Sequence, residues 1–215
     1  MHVENMKGIT MALFPVPVHY DFDSEYRLSD KEWECLSKIE CVRSAFNTNN
    51  LSDNSSILEE QDLVGIKNHL KKYLDHYVKD ILRIKNNFAL TNSWVSRNKP
   101  GDSHPGHTHP HSIISGVFYA KAGKNSGNLN FSIGKTAIQK DYRFLYDYED
   151  YNLFNSANWF LEVATGTVII FPSCLQHHVD VNKSDEERVV IGFNSFVDDS
   201  IGSPKIYTDL TLKVN

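Results

Sequence analysis

The stretch His104–Tyr119, HPGHTHPHSIISGVFY, joins the two patterns on which the fold depends. Its first half holds four of the ten histidines of the chain within eight residues, interrupted by Pro105 and Gly106. Its second half, from Ile113, is apolar, rich in β-branched and aromatic residues, and as long as a buried strand. The stretch therefore predicts a β protein with a histidine-rich loop before one of its strands.

Short segments of the same kind continue along the chain after Asn87, and turn residues separate most of them. The predicted strands begin at Thr91–Ser96 and continue with Ile113–Tyr119, Asn128–Ile133, Trp159–Val163, Thr167–Phe171, His177–Val181, Val189–Phe196 and the alternating Ile206–Val214. About eight short strands without intervening helices imply a sandwich, jelly roll or barrel. The long aromatic and polar insertion Asp141–Asn158 is typical of a lid or of a flap packed on the barrel.

The N-terminal part is predicted to be an arm followed by two helices. Its elements are the proline-containing arm or edge strand Leu13–Val18, a capped helix Asp30–Ile39, an exposed loop Asn47–Asn54 and an amphipathic helix of about Leu58–Leu82 with a capping box at Ser56. His69 and His76 on the second helix are expected at the surface. We expect one domain over residues 1–215, with the arm and supporting helices in 1–87 and the β core in 88–215.

Composition excludes several classes of protein. Hydrophobic residues make up 40% and charged residues 23%, which is enough apolar material for a core. The net charge of -5 and the absence of a dense Lys/Arg run argue against a nucleic-acid partner. No apolar run reaches the roughly 20 residues of a membrane helix, and no signal peptide is recognisable, so we expect a cytoplasmic protein without a membrane partner. Three scattered cysteines predict reduced thiols.

The histidine-rich octapeptide is a candidate metal site. His107, His109 and His111 are two residues apart, so an extended backbone projects them to one side and adjacent members can chelate one ion. Neutral imidazole binds zinc, iron, copper and nickel. The alternative is a loop that exposes its histidines to water, and His104, set off by Pro105 and Gly106, is expected at the rim.

A second histidine cluster begins a later strand. His177 shares a face with the apolar Val179 and Val181 and is therefore expected to point inward, whereas His178 points outward. With the octapeptide, His177 could complete a metal site. Its alternative is a core histidine bonded to a carbonyl.

The next strand carries an arginine on a face that it shares with apolar and small residues. Arg188, Val190, Gly192 and Asn194 alternate with the other face, so an inward face would bring the guanidinium into the barrel beside a glycine that leaves room. A buried arginine needs an anion, and the carboxylate of a small molecule is one candidate. An acidic neighbour in residues 185–187 is the simpler alternative when Arg188 is considered alone.

Taken together, these motifs resemble the iron(II)- and 2-oxoglutarate-dependent oxygenases, and most closely a small branch found in marine bacteria and their phages. The matching motifs are Trp94, His107-Thr108-His109-Pro110, Ser115–Tyr119, Phe171-Pro172-Ser173, His177, Arg188 and Phe193-Asn194. The resemblance covers roughly Asn92–Phe196, and the arm Leu13–Pro17 fits more loosely. It implies a double-stranded β-helix, or jelly roll, with N-terminal helices packed on one sheet.

The resemblance implies a ligand set for iron(II), with one departure. His107 and the distal His177 take the two histidine positions, while His109 stands where the family has Asp or Glu. Three neutral imidazoles leave iron(II) with its charge of +2, which a 2-oxoglutarate dianion neutralises. We take a His-only triad as the hypothesis. The alternatives are that His109 does not ligate or that His111 replaces a neighbour.

The same resemblance assigns the cosubstrate and the reaction. Arg188 corresponds to the residue that pairs with the distal carboxylate of 2-oxoglutarate, with Asn194, Tyr119 and Ser115 as supports or as ordinary barrel-lining residues. The implied reaction uses O2 to decarboxylate 2-oxoglutarate to succinate and to hydroxylate an amino-acid, peptide or small-metabolite substrate. The oligomeric state is left open.

Two other classes remain open from the sequence. A three-histidine site with an open position also describes a zinc lyase or hydrolase on a cupin-like barrel, or an iron dioxygenase that needs no 2-oxoglutarate. A barrel that binds without turnover is the third class. Neither of the enzyme alternatives requires Arg188.

Overall fold

The computed structural model describes residues 8–133 and 147–214. The strands are β1 (His19–Asp21), β2 (Cys41–Arg43), β3 (Asn50–Ser52), β4 (Phe88–Asn98), β5 (His104–His107), β6 (Ile114–Lys121), β7 (Leu129–Ser132), β8 (Asn158–Leu161), β9 (Val168–Pro172), β10 (Gln176–Val179), β11 (Arg188–Val197), β12 (Ser200–Ile201) and β13 (Leu210–Thr211). The helices are α1 (Asp30–Lys38) and α2 (Val64–His76), with 3-10 turns at Ile57–Glu59, Gln61–Leu63 and Pro204–Ile206 and a π-helical turn at Tyr77–Ile81.

Two antiparallel sheets form the jelly roll that the sequence predicted. The larger sheet has the order β1-β9-β6-β11-β4-β3-β2, and the smaller has the order β5-β10-β7-β8. The strands β12 and β13 pair separately. The chain is therefore mainly β, with both helices before the strands from β4 onward. No helix in the described residues is long and apolar enough to cross a membrane.

The central strands of the larger sheet are buried on both faces. In β11, Ile191 and Phe193 belong to the core beneath the helices, while Val190 belongs to the core shared with the smaller sheet. In β6, Phe118 belongs to the core beneath the helices and Tyr119 to the core shared with the smaller sheet. Because successive side chains point to opposite faces of a strand, such strands show continuous apolar runs. The residues on the second face, Arg188 and Asn194 among them by parity, line the space between the sheets.

One carboxylate joins the two helices. Ser29 and Glu32 form the predicted capping box at the start of α1. The side chain of Glu32 also accepts a hydrogen bond of 2.9 Å from the backbone N–H of Ile66, in the first turn of α2. The second predicted capping box is wrong, since Ser56 makes no side-chain cap. The chain instead enters α2 through two 3-10 turns.

Three other local predictions are corrected by the structure. The predicted loop Asn47–Asn54 contains β3, which pairs with β2 and β4. The predicted C-terminal strand Ile206–Val214 is reduced to Leu210–Thr211, because Pro204–Ile206 forms a turn and Tyr207 adopts a left-handed conformation with φ 56°. His69, which was expected at the surface, is only partly exposed, because its ring stacks on that of Tyr26 with the ring centroids 4.5 Å apart.

The arm and the insertion are described in part. Residues 13–18 precede β1, which pairs with β9 at the edge of the larger sheet, and the arm is held where the hydroxyl of Tyr77 donates to the carbonyl of Pro17 at 2.7 Å. The insertion predicted at Asp141–Asn158 lies outside the described residues up to position 146. From position 158 it becomes β8.

Candidate metal centre

Strand pairing brings the two histidine clusters together. His107 ends β5 and lies directly opposite His177 of β10 in the register of the smaller sheet. His109 follows two residues later, and its backbone N–H donates to the carbonyl of Ser173 at 2.9 Å. The predicted orientation of His177 is confirmed, since His177 is buried and its neighbour His178 is exposed.

The three imidazoles converge on one point. One nitrogen each from His107, His109 and His177 lies within 4.8 Å of the other two, a spacing at which these residues could hold one metal ion. The Nε2 atoms of His109 and His177 are 3.1 Å apart, and the two ring planes are 3° from parallel. The exposed His111, with φ 59°, is not part of this cluster, so it does not replace a neighbour.

Hydrogen bonds behind the rings determine which nitrogens face the cluster. The Nδ1 atoms of His107 and His177 lie 2.9 Å from the carbonyls of Pro105 and Leu175. A carbonyl only accepts, so both Nδ1 atoms carry the proton and both Nε2 atoms present a lone pair. This is the tautomer that a metal ligand needs.

Burial keeps these imidazoles neutral. It lowers the pKa of His109 to about 3, with repulsion from His177 as the next cause, and it lowers the pKa of His177 to about 4. For His107 burial also lowers the pKa. The Nε2 atoms of His109 and His177, 3.1 Å apart, share a hydrogen bond when His109 carries its proton there and can both bind one cation when it does not. The donor set therefore fits a divalent transition metal.

Arg188 enters the space between the sheets, as its strand parity predicted. Its side chain is 2% exposed, and Nη1 donates to the carbonyl of Ser126 at 2.8 Å and to that of Gly127 at 3.2 Å. Its Nε is buried without a partner, and no carboxylate of the described residues forms an ion pair with this guanidinium. The acidic neighbours at 185–187 therefore do not neutralise it, and the site can accept an anion.

The three predicted supports of the cosubstrate lie on the same face of the larger sheet. Asn194 shares a side-chain hydrogen bond with His109, and its Oδ1 accepts from the hydroxyl of Ser115 at 2.8 Å. Ser115 is buried and also lies 2.8 Å from the hydroxyl of Ser173. Tyr119 is buried, and burial raises the pKa of its phenol to about 12, so the phenol stays neutral. Asn194 thus contacts His109, and Ser115 contacts Asn194.

Two residues at the centre, Trp94 and Asn49, had no assigned role in the sequence. The indole of Trp94 stacks on His109 at 5.4 Å and 24°. The lack of a side chain at Gly192 makes this possible, because a Cβ there would lie 2.5 Å from the indole of Trp94. His104, expected at the rim, instead packs its ring 4.4 Å from that of His107. Asn49, which contacts His104, carries no motif that could have identified it.

Fold and site together define a jelly-roll protein with a candidate non-haem metal centre. A family model described as "Putative 2OG-Fe(II) oxygenase" matches residues 92–194, the segment that contains all three converging imidazoles and Arg188. By this match the segment is similar to the iron(II)- and 2-oxoglutarate-dependent oxygenases. None of the curated proteins is similar enough in sequence to count as a match.

Solved structures share the fold at low sequence identity. HygX from Streptomyces hygroscopicus, solved with nickel and 2-oxoglutarate bound, is 10% identical over 93% of each chain, with a TM-score of 0.56. The α-ketoglutarate-dependent carbocyclase SnoK from nogalamycin biosynthesis is 12% identical over 86% of this chain and 81% of its own, with a TM-score of 0.59. A Pseudomonas putida prolyl-4-hydroxylase is 14% identical over 83% and 92%, with a TM-score of 0.51.

Proposed function

We propose that this chain is a 2-oxoglutarate-dependent hydroxylase in which His107, His109 and His177 hold iron(II) and Arg188 binds the distal carboxylate of 2-oxoglutarate. The observation that carries the proposal is the convergence of three imidazole nitrogens in a barrel that also contains a buried arginine without an acidic partner. A zinc lyase or hydrolase needs the imidazoles but gives no reason for the arginine. An oxygenase that binds 2-oxoglutarate requires both, the imidazoles for its iron and the arginine for its cosubstrate.

The surroundings of the three histidines support their role as ligands. The carbonyls of Pro105 and Leu175 fix the tautomers of two rings, and Asn194 together with Trp94 orients the third. Such outer contacts hold ligand rings in place and raise their basicity. The rings also pack against aromatic side chains, with Phe171 lying 4.8 Å from His177. This packing buries one side of the histidine cluster, where His177 and Phe171 are shielded from water.

When bound, iron(II) and O2 supply the oxidation of the family, in which 2-oxoglutarate becomes succinate and carbon dioxide while one oxygen atom enters a C–H bond of the substrate. The contribution of the chain is orientation. Arg188 fixes one end of the cosubstrate, and its own position is fixed by two carbonyls of the 126–127 turn. Three neutral imidazoles would leave the full charge of a bound metal ion to attract the dianion.

We further propose a small-molecule or peptide substrate and a cytoplasmic location. Support for the substrate class comes from HygX, which has been solved with hygromycin B bound, and from the prolyl-4-hydroxylase of the same fold. The net charge of -5 disfavours a nucleic acid. Three free cysteines fit a reducing compartment.

Anaerobic titration tests the proposed function directly. Iron(II) and then 2-oxoglutarate are added to the full chain, and the visible charge-transfer band of the iron chelate is recorded. We expect a saturable band with one iron per chain. Absence of the band, together with zinc that copurifies in equal amount and supports hydrolysis, would favour the zinc alternative.

A further inference from the structure

A fourth histidine lies beside the metal centre without belonging to the cluster of ligands. The ring of His104 is 4.4 Å from that of His107 and half-buried. It is also close enough to His177 and Arg188 to interact with both electrostatically. His104 therefore lies among the residues proposed to hold the iron and the cosubstrate.

A chain of polar groups behind His104 fixes the orientation of Asn49. The amide nitrogen of Asn98 donates to the carbonyl of Ser103 at 3.3 Å, so its Oδ1 is the atom that accepts from the hydroxyl of Ser96 at 3.1 Å. A hydroxyl has one proton to donate. The oxygen of Ser96 must therefore accept from Asn49, whose Nδ2 lies 3.0 Å away.

The same amide group fixes the tautomer of His104. Nδ2 of Asn49 lies 2.8 Å from Nδ1 of His104, and Asn49 is 0% exposed, so water does not compete for this bond. An imidazole nitrogen that accepts a hydrogen bond carries no proton, so neutral His104 has its proton on Nε2. This is the reverse of His107 and His177. His104 can donate from Nε2 but cannot bind a metal there.

This donor has no partner within the described part of the chain, where no hydrogen bond to Nε2 of His104 is formed. The cosubstrate brings two carboxylates and a keto oxygen, more acceptors than Arg188 alone can satisfy. On the basis of the proposed function, we propose that His104 is a positioning residue that donates a hydrogen bond from Nε2 to a carboxylate oxygen of bound 2-oxoglutarate.

The test compares variants that keep or remove the donor. His104→Phe keeps a planar ring without a donor, His104→Leu removes both, and His104→Gln keeps an N–H donor. His111→Gln is the matched control, because His111 belongs to the same octapeptide and is exposed. For each variant the dissociation constant of 2-oxoglutarate is measured by the anaerobic visible band, alongside iron stoichiometry and the midpoint of thermal unfolding.

We expect both donor-free variants to bind 2-oxoglutarate about 10- to 100-fold more weakly, the range for one hydrogen bond to a charged group. Iron stoichiometry should stay at the wild-type value, since His104 is not a ligand. His104→Gln should recover most of the affinity, and His111→Gln should match the wild type.

Three results separate the inference from the proposed function. A dissociation constant within twofold of the wild type in His104→Phe or His104→Leu overturns the role of His104 while the proposed function stands. Equal weakening in all three His104 variants indicates a packing role and overturns it as well. Loss of the band in the wild type itself contradicts the proposed function and, with it, the inference that rests on it.

Discussion

His109 is held by contacts from three directions. Its ring stacks on Trp94, its side chain shares a hydrogen bond with Asn194, and its backbone N–H donates to Ser173. A residue that only lined the barrel would not need its ring to be oriented in this way. At this position, where the resemblance to the oxygenases implies a carboxylate, the surrounding contacts orient an imidazole.

Replacing His109 with Ala should therefore remove a metal ligand. We expect the affinity for iron(II) to fall by at least about 10- to 100-fold, the loss that follows even when an outer partner of a ligand is removed. Iron content after anaerobic loading and desalting measures this. His111→Ala is the matched control, and wild-type iron content in His109→Ala would show that two histidines suffice.

Arg188 differs from the neighbouring arginine in forming no ion pair within the described residues. Arg97, opposite Val189 on β4, pairs with Glu187 at 2.9 Å. Because no carboxylate in the described chain forms an ion pair with Arg188, Arg188→Leu should weaken 2-oxoglutarate binding by about 100-fold while iron still binds. Arg97→Leu should leave the affinity for 2-oxoglutarate near that of the wild type. Equal effects of the two substitutions on this affinity would contradict the assignment.

At the scale of elements, the contact between α1 and α2 depends on Glu32. Its carboxylate accepts from the hydroxyl of Tyr26 at 2.5 Å, from Ser29 and from the backbone of Ile66. Burial acts to raise the pKa of Glu32, but these hydrogen bonds outweigh it and the pKa is lowered. One side chain thus caps two helix starts that are far apart in the sequence.

Substitution of Glu32 should have a pH-dependent effect. A carboxyl whose pKa is lowered by folding stabilises the native state above its unfolded pKa, and this contribution is lost as the pH falls through the folded pKa. We expect Glu32→Gln to lower the free energy of unfolding by about 1–3 kcal/mol at neutral pH, with the difference from wild type shrinking in acid. Urea unfolding at several pH values measures it. Glu34→Gln, on the exposed face of α1, should show a smaller change, and a pH-independent deficit in Glu32→Gln would contradict the mechanism.

Gly65 in α2 should resist the substitution that usually stabilises a helix. Gly to Ala gains about 1 kcal/mol in a helix interior, and at Gly65, the second residue of α2, the same change would be expected to gain less. Here a Cβ would lie 2.5 Å from the hydroxyl of Tyr26 and 2.8 Å from Oε1 of Glu32. We expect Gly65→Ala to destabilise the protein by about 1–3 kcal/mol, because the carboxylate network must shift. A gain in stability would show that the network can adjust freely.

At the scale of the whole molecule, the sequence predicted features that depend on neighbouring residues and missed those that depend on contacts between residues far apart in the chain. Strand parity predicted the inward face of His177 and Arg188, because alternation is a local property of an extended chain. It could not place His104 at the centre, since that depends on Asn49, which lies 55 residues earlier in the chain. The start of α2 was missed for the same reason, because its cap comes from Glu32 in another helix.

Because the site is assembled from separate strands, ligand binding should raise the stability of the jelly roll. The proposed site joins the end of β5 to β10 and to the start of β11, so a metal and 2-oxoglutarate bind only the folded chain. Such binding stabilises by about 2.7 kcal/mol when the ligand is at 100 times its dissociation constant. We expect iron(II) or nickel(II) to raise the midpoint of thermal unfolding under anaerobic conditions, and 2-oxoglutarate to raise it further.

Two variants separate the rise in the unfolding midpoint caused by the metal from the rise caused by 2-oxoglutarate. The shift with metal should be reduced in His109→Ala, whereas Arg188→Leu should keep the shift with metal and lose the additional one with 2-oxoglutarate. An additional shift retained in Arg188→Leu would place the cosubstrate elsewhere. Because the measurement needs no turnover and no substrate, it tests how the fold holds its ligands separately from what the enzyme oxidises.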